Sequence, residues 1–119
     1  MREIKFRGLA GAGYWVVGSL FINEKSHAYV VHPDETRTPV SPDTVGQFTG
    51  LKDKFAKEVY EGDILQQYGG VLGKTMIGIP RLIEFSPDYG WLTHFREGDN
   101  IRDYFEVIGN IYENKELLK

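Results

Sequence analysis

The chain contains no cysteine. Neither a disulfide framework nor a thiolate metal site can form, which fits a reducing compartment. It also lacks any apolar run near the roughly 20 residues that a membrane-spanning helix needs. The N-terminal MREIKFRG alternates charged and apolar residues, so it has no continuous apolar stretch of the secretory-leader type. These absences place the chain in a cytoplasm with no membrane partner. A basic excess is missing as well. Fourteen Lys and Arg against seventeen Asp and Glu give a formal net charge of −3, whereas binding to phosphate backbones is driven by cations. Two basic spots exist, Arg2, Lys5 and Arg7, and then Lys52, Lys54 and Lys57. Glu3 dilutes the first, and Asp53 and Glu58 dilute the second. No segment carries a sustained helical period, and no internal repeat is present.

What the chain has instead is aromatic side chains, seven Tyr, seven Phe and two Trp. These suit half-buried pleated surfaces. At 119 residues and 41% hydrophobic composition, one domain spanning 1–119 can build a core without staples. Glu3–Arg7 alternates, with Ile4 and Phe6 expected inside. Tyr14–Ile22 is a long apolar strand in which Gly18 is expected to mark a bulge or bend. His27–His32 is a further strand, and Pro33–Pro42, with three prolines, reads as a loop. Ser41-Pro42-Asp43-Thr44 opens one helical turn.

Val45–Leu65 reads as a hairpin across Lys52–Lys57, followed by the turn Glu61-Gly62-Asp63 and another strand. Gln66–Ile79 reads as a mobile loop or irregular hairpin. Arg81–Phe85 and Gly90–Phe95 flank Ser86-Pro87-Asp88-Tyr89 as a second hairpin. Phe105–Tyr112 carries apolar groups on both faces and is expected to be a central strand or one at a barrel closure. Asn114–Lys119 closes with a helical turn. Seven or so short strands at this spacing predict a mainly-β fold, a small barrel-like or SH3-like antiparallel domain with short helical turns.

Three blocks, MREIKFRG, VGQFTGLKDKFAKEVYEGDIL and FEVIGNIYENKELL, occur in the order and spacing of YopX-like proteins, which the chain resembles. The resemblance implies an origin in phages and prophages of Gram-positive bacteria, a mainly-β fold and residence in the host cytoplasm. It implies no activity and no catalytic residues. The central turn of such proteins typically reads Asp-Lys-Asn-Gly-Lys, and Asn-Gly tolerates positive φ. Phe55-Ala56 stands there in this chain, which puts an aromatic near a hairpin tip and leaves the turn geometry open.

No motif carries chemistry with the required spacing. Gly69–Thr75 resembles a phosphate-binding loop, yet from Gly69 it is one residue short, and Met76–Pro80 is a poor helix start. Gly8, Gly11 and Gly13 reverse the dinucleotide fingerprint and lack its strand–helix context. His27, His32 and His94 have no metal-ligand spacing, so no metal or cofactor is expected. Ser86, Asp88 and His94 form a triad only on paper. Glu58, Glu61 and Asp63 could be paired carboxylates, but a turn accounts for them better.

Lys52, Lys54, Phe55 and Lys57 remain as candidate contact residues, since a basic tip bearing an aromatic can anchor a protein or stack on bases. The alternative is that Phe55 folds back onto the sheet. The expected function is a non-enzymatic accessory protein that binds a host or phage protein. It could also form a homo-oligomer, should Tyr14–Ile22 lie at a sheet edge. The alternatives are a nucleic-acid binder using the hairpin tip and a small hydrolase using Asp63, Glu61 or His94.

Overall fold

The computed structural model describes residues 3–88, 90–91, 94–95 and 99–118. The fold is mainly β, in antiparallel sheets that do not close into a barrel. The chain divides into two compact units, Met1–Phe48 and Thr49–Lys119.

The first unit contains β1 (Phe6–Leu9), β2 (Trp15–Ile22), β3 (Ala28–Val31), β4 (Arg37–Val40), a 3-10 turn over Pro42–Thr44 and the start of β5 (Gly46–Lys52). Their order in the sheet is β4-β3-β2-β1-β5. Ala28, Val30 and Val40 form its core, with Val16, Leu20 and Val45 packed around them. β2 therefore lies between β1 and β3, and the edge position that would have called for a partner strand is not where it sits. Gly18 makes no bulge either, because it pairs with Phe6 in an unbroken register. Its lack of a side chain serves close packing, since a Cβ there would fall 2.5 Å from the Val31 carbonyl oxygen.

Three local expectations fail in this unit for identifiable reasons. Ile4 is 71% exposed while Arg7 is buried, the reverse of the alternation. The strand begins only at Phe6, and the Arg7 guanidinium stacks over Trp15 at 4.6 Å, a contact that lets a cation lie against apolar surface. The Pro33–Pro42 segment is not all loop. β4 runs through Pro39, which an edge strand accepts because its missing N–H need not face a neighbour. Ser41 caps the following turn without a side-chain bond. Thr44 does that work, donating its hydroxyl to Ser41 O at 2.7 Å and accepting from Leu9 N–H at 2.9 Å. In the β3–β4 turn, the Thr36 hydroxyl and then its backbone N–H hold the Asp34 carboxyl below its ordinary value of 3.8.

The second unit holds the rest of β5 beside β6 (Glu58–Tyr60), then β7 (Asp63–Gly69), β8 (Thr75–Leu82), α1 (Ile101–Tyr104), β9 (Phe105–Asn110) and a 3-10 turn over Lys115–Leu118. β8, β7 and β9 form a sheet in that order. Val59, Leu65, Ile83, Ile101 and Phe105 are its core.

β9 is thus an edge strand, not a central one. A register shift opposite Ile64 and Leu65 sets Ile108 out of step, which explains why both faces of the sequence look apolar. β8 carries a larger irregularity. Gly78-Ile79-Pro80 lies opposite the single residue Gln66, and the buried Gln66 amide fills the gap by donating to Ile77 O and Gly78 O. Of the second hairpin, Ser86 and Gly90 form an antiparallel bridge; Tyr89, Leu92 and Thr93 lie outside the described residues. α1 was not anticipated. Its signal is Asn100, whose Oδ1 accepts from Asp103 N–H while its amide donates to Asp103 Oδ2. This is a capping arrangement three residues apart. Among the described residues no helix is long and apolar enough to cross a membrane.

The packing at Gly18 yields a direct test. Gly18→Ala must displace β3 backbone, and the expected cost is about 1–3 kcal/mol of folding stability, read as a lowered midpoint in urea.

Candidate functional site

The β5–β6 turn is built on Asp53. Its carboxylate is 2% exposed and accepts three backbone N–H groups. Oδ1 takes Phe55 at 2.8 Å and Lys57 at 2.9 Å, and Oδ2 takes Val107 of β9 at 2.9 Å. The backbone adds Ala56 N–H to Asp53 O, Asp53 N–H to Lys57 O, and Lys54 N–H to Phe105 O. The result is a β-turn over Asp53–Ala56 followed by a left-handed residue, Ala56 at φ 63°. This is the bulged three-residue hairpin form, whose left-handed position normally falls to glycine. The chain keeps that geometry with an alanine.

Phe55 stands at the apex of the turn. It is 66% exposed, so it does not fold back onto the sheet. Lys54 beside it is half-buried and fixed. Its Nζ donates to Gly73 O at 2.9 Å and lies 5.4 Å from the Phe55 ring centre and 5.1 Å from that of Tyr68. Gly73 belongs to the β7–β8 turn, where Gly70 and Gly73 take positive φ and Gly73 N–H bonds Gly70 O. Lys54, Phe55, Tyr68, Gly73, Lys74 and Glu106 line a cleft of about 160 Å³.

The four candidate contact residues are therefore only partly brought together. Lys54 and Phe55 share the cleft. Lys52 lines a separate one with Asp99, Asn100, Ile101 and Arg102, and exposed Lys57 lies outside both. Tyr68, Gly73 and Lys74 do not read as contact residues in the sequence, because the glycine spacing around them resembles a phosphate loop. The available signal was Val71-Leu72, two aliphatic side chains in a turn where polar residues are the rule.

The larger recess along Gly78–Leu82 includes Arg81 and His94. Arg81 donates to Asp99 at 2.7 Å and to Gln67 and stacks over Phe95 and Phe105. His94 meets Glu84 at 2.9 Å, not Asp88, whose own N–H bonds Ser86 Oγ. The paper triad is not assembled. Asp63 is buried, and its Oδ2 accepts from Tyr60 N–H across Gly62 at φ 94°, the turn role its sequence suggested. Gly69–Lys74 leads into a strand, so no helix N-terminus faces it as a phosphate loop requires. Among the described residues no three metal-ligating side chains converge.

The C-terminal block has a structural rationale as well. Asn110 Oδ1 accepts from the N–H groups of Tyr112 and Glu113, and Asn114 Oδ1 accepts from Asn110 N–H. These bonds end β9 and begin the final turn. The family model of YopX proteins matches residues 17–119. The chain belongs to the YopX protein family. The match takes in the central and C-terminal blocks and begins past MREIKFRG. No curated protein matches the chain.

Three substitutions test this turn. Asp53→Ala leaves three buried or half-buried N–H groups without their acceptor and is expected to cost about 3 kcal/mol or more. Asp53→Asn, which turns a donor toward Val107 N–H, is expected to cost about 1–3 kcal/mol. Ala56→Gly relieves left-handed strain that outweighs the added freedom of the unfolded chain, so it is expected to raise stability by about 0.5–1 kcal/mol. Thermal and denaturant unfolding measure all three.

Proposed function

We propose that this YopX protein is a non-enzymatic accessory protein of phage or prophage origin, working in the host cytoplasm by binding a protein partner through the β5–β6 tip. The observation that carries this reading is Phe55, a large apolar side chain held outward on a turn that Asp53 fixes from beneath. Anchors of this kind dominate protein contacts, because a rigid aromatic loses little entropy on burial. Of the residues the hydrolase alternative names (Asp63, Glu61 and His94), Asp63 and His94 bond to different groups, His94 to Glu84 and Asp63 to Tyr60 N–H, which supports a binding role over an acid–base one.

One observation favours a second reading, a nucleic-acid contact. The Lys54 ammonium lies against two rings, Phe55 and Tyr68, and aromatic side chains beside cations are what single strands stack upon.

Affinity capture from Gram-positive host lysate, with wild-type protein and Phe55→Ala, with and without nuclease, separates the two. The expected result is a protein retained by the wild type, lost with Phe55→Ala and indifferent to nuclease. Capture that vanishes with nuclease overturns the protein reading in favour of nucleic acid. Capture equal for both proteins removes Phe55 from the contact.

A further inference from the structure

The hairpin is only part of the tip. The Lys54–Gly73 hydrogen bond holds the β7–β8 turn against it, and that turn displays Val71, fully exposed, and Leu72, 79% exposed. Lys57 and Lys74 are exposed too. Among the described residues neither makes an ion pair. The neighbouring carboxylate of the hairpin turn, Asp53, is buried and saturated with backbone donors. Glu106 is the one acid lining the cleft. A chain of net charge −3 thus carries exposed apolar side chains and two exposed lysines on these turns, with Glu58 next to Lys57 in sequence and Glu106 in the cleft with Lys74.

We propose that the two turns together form a docking surface for an acidic protein segment that carries an apolar anchor. The inference rests on the protein-contact reading above and names its partner's chemistry. Charge complementarity decides the occupant. A second copy would bring this lysine-bearing surface against itself about a two-fold axis, setting like charges together. Nucleic acid gains nothing from Val71 and Leu72, which offer neither stacking nor a phosphate contact, and one region of each ring is already taken by Lys54. A lipid surface would not fill the recess between Phe55, Tyr68 and Glu106. A space of ~150 Å³ takes a benzene-sized group, so this one admits a single side chain. Carboxylates flanking that side chain would meet Lys57 and Lys74, giving a salt-sensitive, oriented encounter.

The test is selection of yeast-displayed random linear peptides on the full-length protein, with Phe55→Ala, Leu72→Asp and the double variant Lys57→Glu/Lys74→Glu in parallel. Leu72 and both lysines are exposed, so these variants are expected to keep the wild-type circular dichroism. The expected pool is rich in Asp and Glu around one aromatic or aliphatic residue. A synthetic peptide from it should lose about tenfold in affinity with each variant, and a similar factor when salt rises toward 1 M and the screening length shrinks. A pool that depends on Phe55 yet shows no acidic excess, or ignores Leu72→Asp, overturns this inference while leaving the protein-contact reading standing. A pool indifferent to every variant overturns both. Co-sedimentation with phosphatidylcholine vesicles containing phosphatidylserine, dependent on Leu72 and without any variant-sensitive peptide, overturns it in favour of a lipid surface.

Discussion

The β5–β6 tip of the second unit depends on one buried carboxylate. Asp53 sits where a hairpin must reverse, and its two oxygens take up N–H groups that the reversal would otherwise leave unpaired. Hydrogen bonds to a charged acceptor contribute about 1.5–3 kcal/mol each, and an unpaired buried donor costs a comparable amount. Three such bonds at a 2% exposed site therefore outweigh the strain of a left-handed alanine, roughly 1–2 kcal/mol. The same carboxylate reaches Val107, 54 residues away in sequence. It ties the turn to β9 and gives the apex a rigid base. Phe55 owes its outward setting to that base, since its own backbone N–H is one of the three donors.

Much of the architecture was legible because it is local. The central block announced β5, β6 and β7 through apolar runs broken by Asp53 and by Gly62-Asp63. The turn between β2 and β3 is equally local, since Asn23 Oδ1 accepts from the N–H groups of Lys25 and His27. Ser41-Pro42-Asp43-Thr44 marked the 3-10 turn. What escaped depends on neighbours that sequence does not reveal. Pro39 looks like a loop residue until β3 is known to pair on one side of it only. Phe105–Tyr112 looks central until the shift at Ile108 explains its doubled apolar faces. Arg7 looks exposed until Trp15 lies beneath it. In each case edge position or a partner ring decided burial, which neither period nor propensity reveals.

The candidate site was half legible for the same reason. Lys54 and Phe55 stood out because aromatic and basic residues at a hairpin tip are unusual in any chain. Their companions Tyr68, Gly73 and Lys74 come from another hairpin, and only the Lys54–Gly73 bond reveals that the two turns meet. The glycine pattern drew attention toward phosphate chemistry, while Gly70 and Gly73 serve positive-φ turn geometry instead. Nothing in the spacing of the two segments in sequence foretold their contact.

Ala56 ties these threads together. Strained backbone persists where the surroundings over-determine it, and the Asp53 turn does so through its own backbone N–H and carbonyl as well as its side chain. A glycine at position 56 would fit the same turn with less strain, so the alanine is tolerated and not demanded by the fold. A hairpin that needed only to reverse direction would be served by an Asn-Gly pair. This chain instead places Phe55 and Ala56 on the turn, losing some ease of folding and gaining an exposed aromatic on a fixed base. Stability accounts for neither the exposed ring nor the exposed Val71 and Leu72 beside it. The docking surface proposed above would account for all three.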